Sequence, residues 1–292
     1  MKMKKIVCVV LALCLTASLC TAFADSEHES RAVIGANLTD EQISAIYGVF
    51  GVKRGDVKEM TITNADEREY LEGYVDESLI GTKSISCVYI ELLNDGDGLD
   101  VTTNNITWCK PEMYVNALAT AGITDAKVIV AAPFNVSGTA ALTGVYKAYE
   151  DITGQKLDEN AKLVGTQELA VTSDLANEIG SYDSTSIVND LKGMLNETKD
   201  MSDSQLRDEI GKIAKEYKTT LTDKQTDQLV SLCRSMEKMD TGELMQRVDD
   251  VKNTVKKMSE AKTKAVGFIE KVKNVITSIG DFFRDIIDHF KK

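Results

Sequence analysis

Two rhythms of apolar residues divide this 292-residue chain. Up to about residue 155, short alternating or continuous apolar runs are interleaved with helical spacing; beyond it, helical spacing stands alone. Leu38-Thr39-Asp40-Glu41-Gln42-Ile43 opens a helix, with Thr39 as cap, Gln42 reaching back to it and Leu38 packing on Ile43. Residues 57–63 alternate as a strand, and Asn64 caps a charged helix over 65–74. Residues 84–93 form a strand rich in branched and aromatic side chains. Asn94-Asp95-Gly96-Asp97-Gly98 then supplies turn residues, and 99–108 returns antiparallel as a hairpin. Pro111 suits the first turn of a helix over 112–121. Residues 126–132 are apolar but for Lys127, as in a central strand covered on both faces, and 138–153 close with a helix. A leading helix, then β-α-β-β-α-β, then a helix predicts an α+β domain over residues 25–155, ferredoxin-like, with helices on one face of its sheet.

Residues 156–240 predict a helical bundle, in which Ser202-Asp203-Ser204-Gln205 and Thr222-Asp223-Lys224-Gln225 are capping boxes that start new helices. Residues 241–292 predict one long amphipathic helix. Its positions 244, 248, 251, 255, 258, 262, 265, 269, 272, 276, 279, 283, 286 and 290 are apolar except at Lys262, which is a heptad seam. From Ala265 the stripe widens, because Phe268, Val275 and Phe282 join Ile269, Val272, Ile276, Ile279, Phe283, Ile286 and Phe290. Such a face serves either as bundle core or self-association seam, or as a face for a partner or a membrane surface.

Residues 1–24 read as a secretory signal cleaved after Ala24: Lys2, Lys4 and Lys5 precede an apolar run that closes on Ala22-Phe23-Ala24. Leu19 stands where a lipoprotein signal needs a small residue before Cys20, so free secretion is expected. The net charge is −12 overall, with +3 in residues 1–24 and +5 in residues 251–292, which leaves −20 between them. Nucleic-acid binding needs a basic surface and is not expected of this chain.

Candidate chemistry is sparse. The two histidines, His28 and His289, lie near the two ends, so no nucleophile–imidazole arrangement and no short-spaced zinc ligand set is readable. No cofactor is implied. A carboxylate-based hydrolase stays formally open, with nothing to select a pair. Cys87 and Cys109 flank the hairpin turn; they are either two ordinary buried thiols or a disulfide contributing about 3 kcal/mol. Asp95-Gly96-Asp97-Gly98-Leu99-Asp100 departs from the EF-hand ligand order and reads as a turn. The strand–loop–helix passage through Ser137 and Thr139 has the geometry of an anion cradle but no lysine, and either hydroxyl reads as a helix cap. Trp108 with Tyr114 is either core or an aromatic anchor for a ligand.

Arg31-Ala32-Val33-Ile34-Gly35-Ala36-Asn37-Leu38, Asn104-Asn105-Ile106-Thr107-Trp108, Ala121-Gly122-Ile123-Thr124-Asp125-Ala126 and Gly138-Thr139-Ala140-Ala141-Leu142-Thr143-Gly144 resemble the secreted bacterial family called domain of unknown function 1002. The resemblance runs from about residue 31 to 255 and is strongest over 85–154. It implies export from Gram-positive bacteria, gut anaerobes included, and supplies neither a reaction nor catalytic residues. The expected function is therefore a secreted, non-enzymatic binding protein that docks an extracellular macromolecule through helical faces, with a host immunoglobulin as named candidate. The alternative is a cell-envelope factor held at membrane or wall by the basic terminal helix.

Overall fold

A computed structural model describes residues 28–290, and side chains as far as residue 265. The signal segment expected at 1–24 lies outside the described residues. The chain begins with a strand, β1 (Ser30–Gly35), followed by α1 (Asp40–Phe50), β2 (Lys58–Ile62), α2 (Asn64–Leu71) and the one-turn α3 (Glu77–Ile80). Next come β3 (Cys87–Leu92), β4 (Leu99–Ile106), α4 (Pro111–Thr120), β5 (Ala126–Val136) and α5 (Thr139–Thr153). The remainder is helical: α6 (Glu159–Ile179), α7 (Ser181–Gly193), α8 (Leu195–Thr198), α9 (Asp203–Glu216), α10 (Asp223–Met236) and α11 (Thr241–Phe290).

Local signals act where they are read. Thr39 and Gln42 close a reciprocal capping box, as do Ser202 with Gln205 and Thr222 with Gln225. Pro111 occupies the first turn of α4. The cap of α2 is Thr63 rather than Asn64, because Thr63 and Asp66 complete a reciprocal box one residue earlier.

The five strands form one mixed sheet in the order β2-β1-β3-β5-β4. β1 runs parallel to β2, β3 is antiparallel to β1 and β5, and β4 runs parallel to β5. This corrects the expected β3–β4 hairpin and, with it, the four-stranded ferredoxin-like arrangement. The turn at 94–98 does form, but the chain crosses over the place that β5 later fills. β5 wins that place because its run Val128, Val130, Ala131 and Ala132 is buried throughout, whereas β4 alternates with exposed Asp100, Thr102 and Asn104, as an edge strand should.

Helices cover both faces. On one, Ile46, Tyr47 and Phe50 of α1 pack on Ala32, Ile34, Cys87, Tyr89 and Ala131. On the other, α4 and α5 pack on Val33, Val88, Val128 and Val130, and this core continues outward to Leu169 of α6 and Val251 and Val255 of α11. A second core is assembled wholly from α6 to α11, around Leu175, Ile187, Leu206, Ile210, Leu229 and Leu244. Each such fully buried side chain is worth about 1.5–3 kcal/mol.

α6 meets α4 at short range because residue 165 is glycine: a Cβ there would lie 2.7 Å from the Ala117 carbonyl oxygen and 2.8 Å from Tyr146 Oη. Deeper in the same seam Lys192 of α7 pairs with Glu168 of α6 at 2.6 Å, both side chains fully buried. Thr120 Oγ1 donates to Glu168 at 2.5 Å, and Lys192 Nζ also reaches the Asn116 carbonyl oxygen at 3.4 Å. Burial pushes the Lys192 ammonium below its ordinary range, and the Glu168 carboxylate opposes that drift.

Candidate functional site

The concave site of chemical interest lies where β5 ends and α5 begins. The chain leaves β5 at Val136 and turns into α5 through Gly138, whose φ is +100°. A Cβ at 138 would sit 2.5 Å from Ile106 Cγ2 and 2.7 Å from Tyr114 Oη, so glycine is required twice over. Tyr114 Oη donates to the Gly138 carbonyl at 2.6 Å and fixes the turn. The first residues of α5 are thereby held opposite α2, where Glu67 sits one turn before Leu71 on the buried face.

Glu67 is 1% exposed. Its carboxylate accepts from Thr139 Oγ1 and, at 3.4 Å, from Asn64 Nδ2. The neighbouring cation is diverted: Arg68 pairs with Glu77 at 2.8 Å and donates to the Gly81 carbonyl. Among the described residues Glu67 has no ion-pair partner. Loss of water around it raises its pKa to about 7, against the pull of the Thr139 and Asn64 hydrogen bonds and the Arg68 charge. Ser137 Oγ donates to the Leu79 carbonyl at 2.8 Å and lies 3.2 Å from Thr139 Oγ1. These groups border a cavity of about 350 Å³, with Trp108 in its wall and exposed Lys83 and Asn135 at its rim. Trp108 is nine-tenths buried, and its Nε1 has no hydrogen-bond partner among the described residues.

The residues singled out by sequence are distributed otherwise. Cys87 and Cys109 are buried free thiols, not a disulfide. Cys109 lies three residues past the end of β4, and β5 separates β4 from β3, so the hairpin that would have set the two sulfurs opposite each other does not form. They also belong to cores on opposite faces of the sheet. Burial pushes their thiols up to about 11 and about 12. Ser137 and Thr139 do not cap α5, because the αL glycine between them takes the cap position without a side-chain hydrogen bond. Tyr114 is a core residue that braces Gly138; Trp108 alone of that pair reaches a cavity. In the acidic loop, Asp125 Oδ1 accepts from the Gly96 and Gly98 amides at 2.8 Å each, so its charge serves the turn. Among the described residues, no three His, Cys, Asp or Glu side chains converge as a metal site.

The heptad seam of α11 splits in two. Leu244, Val248, Val251 and Val255 are buried and Met258 is half-buried, packed on α4 and α7. Residues 261–265, Ala265 included, are all exposed, though Lys262 lies 5.0 Å over the Tyr182 ring. Five consecutive exposed residues wrap more than a full helical turn, so this stretch is not packed into the core and touches the body through Lys262. The expected face from Phe268 through Ile269, Val272, Val275, Ile276, Ile279, Phe282, Phe283 and Ile286 to Phe290 lies outside the described side chains, on backbone that is helical to Phe290. Among the described residues no helix is long and apolar enough to cross a membrane.

Sequence reasoning overlooked Glu67, which it left among the charges of the helix over 65–74. The signal was its spacing: Asn64, Glu67 and Leu71 share one helical stripe, and a carboxylate on the stripe that carries Leu71 is bound for the interior.

Fold and cavity together define a mixed α+β protein, a five-stranded sheet overlaid by a thick helical layer, with one polar cavity holding a buried carboxylate at the sheet's end. The chain belongs to the family described as Protein of unknown function (DUF1002), whose model matches residues 34–258. It is similar to the "Uncharacterized protein YpuA" of Bacillus subtilis (strain 168), with 36% identity over 257 residues, 87% of this chain and 85% of that protein. No solved structure matches the chain. The family match ends at residue 258, three residues before the exposed stretch of α11 at 261–265.

Proposed function

We propose that this chain is an exported, non-catalytic binding protein that docks an extracellular macromolecule through the distal part of α11. The observation that carries this reading is the course of α11. Its proximal seam is spent on the protein's own core, while residues 261–265 are exposed, with Lys262 over the Tyr182 ring, and the apolar rows from 268 onward are still to come. Helix-face docking needs an apolar stripe with a polar rim, and this segment carries both. The signal-like residues 1–24 support export. A host immunoglobulin is the named candidate partner, by analogy with other helical bacterial modules that bind antibodies. The test is a pull-down from host mucosal fluid with the chain and with a form lacking residues 262–292. Recovery of immunoglobulin by the first and not the second supports the reading; recovery of none from several hosts removes the candidate.

A second reading has its own observation in the charge of residues 251–292, ten Lys or Arg against five Asp or Glu. A basic amphipathic helix gains about 1 kcal/mol per lysine at an anionic membrane surface. Flotation with anionic vesicles, lost on deleting 262–292, would favour an envelope role; no flotation would set that role aside.

A further inference from the structure

We propose that the cavity between α2 and the start of α5 binds the ammonium group of a small amine, with the Glu67 carboxylate as its counter-ion and the Ser137 and Thr139 hydroxyls as acceptors for its N–H donors. This site is separate from α11, and it stands or falls independently of any partner bound there.

Four observations converge. First, a carboxylate is buried beside an open cavity with no basic partner among the described residues, and Arg68, the cation best placed to compensate it, is turned away to Glu77 and Gly81. A charge taken from water without a partner is costly, and an incoming cation restores what burial removed. Second, the hydroxyls are set for a donor. Thr139 Oγ1 gives its hydrogen to Glu67 and Ser137 Oγ gives its hydrogen to Leu79, so both oxygens keep lone pairs for an ammonium. Third, Trp108 stands in the same wall, so a cation paired with the carboxylate meets an indole ring, and the indole N–H is left to donate to a polar group of the same ligand. Fourth, about 350 Å³ is the scale of a small-molecule site. Lys83 at the exposed rim sets the limit on charge: a single ammonium with polar or anionic groups pointing outward is accommodated, whereas a long polyamine meets a like charge at the mouth.

The arrangement has an electrostatic signature. The groups facing Glu67 are Asn64 and Arg68 of its own helix, Thr139 of α5, Lys83 of the loop before β3, and Cys109 and Tyr114 behind Thr139, both kept neutral by burial. Glu67 is then the group in the site that titrates near neutrality. Its free carboxyl must lose a proton before it pairs with an ammonium, so affinity is greatest above pH 7 and falls about tenfold for each unit below it.

Trp108 is the sole tryptophan of the chain and serves as the reporter. The experiment titrates the purified chain with ethanolamine and glucosamine, and with their neutral counterparts ethylene glycol and glucose, following Trp108 fluorescence from pH 5 to 8.5. Expected are saturable responses to an amine at least tenfold tighter than to its neutral counterpart, fading below pH 7 as above. Glu67→Gln should weaken amine binding tenfold or more, and Ser137→Ala severalfold. Should Glu67→Gln not fold, the pH series on the unaltered chain and the Ser137→Ala variant decide the matter without it. Equal binding of amine and neutral counterpart, affinity independent of pH, undiminished binding by a folded Glu67→Gln, or no response to either amine would overturn the assignment.

Discussion

Among the described residues that are almost completely withdrawn from water, the glutamates Glu67 and Glu168 are resolved in opposite ways. Glu168, between α4, α6 and α7, is met by Lys192 at 2.6 Å and by Thr120. Glu67, at the end of the sheet, receives hydroxyl and amide hydrogens but no cation, and it adjoins a cavity. A buried charge with its partner supplied in the same chain is architecture, and here it ties the helical layer to the sheet layer. A buried carboxylate with no cation paired to it among the described residues is instead held at the edge of ionisation by its loss of water.

The contrast can be broken most forcefully at the paired site. Lys192→Met should cost about 3–5 kcal/mol, read as a lowered urea midpoint, because it strands the Glu168 charge; replacing Glu168 by Leu in the same chain should recover most of the loss. A single variant as stable as the parent would show that water reaches the pair.

At the unpaired site the effect is a pH dependence. In the unfolded chain Glu67 ionises near 4.5, whereas in the fold it keeps its proton up to about 7. Its contribution to stability is therefore fully present at acid pH and declines as pH rises from 4.5 through 7. At about 1.4 kcal/mol per unit, the parent should lose about 3 kcal/mol relative to Glu67→Gln between pH 4.5 and 8. A constant difference between the two across that range would mean the carboxylate is not desolvated.

A smaller effect is expected where the layers touch through Gly165. Gly165→Ala should cost about 1–3 kcal/mol by pressing α6 away from Ala117 and Tyr146, measured by thermal unfolding. The smallest belongs to the distal part of α11. Deleting residues 266–292, which spares Lys262 and its Tyr182 contact, should change the body's stability by less than about 0.5 kcal/mol. A large loss would show that the distal helix folds back onto the body.

What could be read from the chain alone follows the range of the interactions. Capping boxes at Thr39, Ser202 and Thr222, the proline at the start of α4 and the buried run of β5 are local, and they act as read. The sheet order was not legible, because whether β3 pairs with β4 or β5 depends on residues some forty positions apart in sequence competing for one edge. β1 was missed, since its four core residues from Ala32 to Gly35 are buried without a break and so show no alternation. The cavity was half legible. Trp108, Ser137 and Thr139 stand out in the sequence, but Glu67 arrives from a distant helix and looked like one charge among several.

Val251 and Val255 of α11 complete the core over the sheet, and Leu244 completes the core of the helices. A nascent chain delivered amino end first thus cannot seal either interior until its last tenth or so is approaching release. Until then the earlier segments lack their final cover, which makes α11 the latch that closes both interiors together.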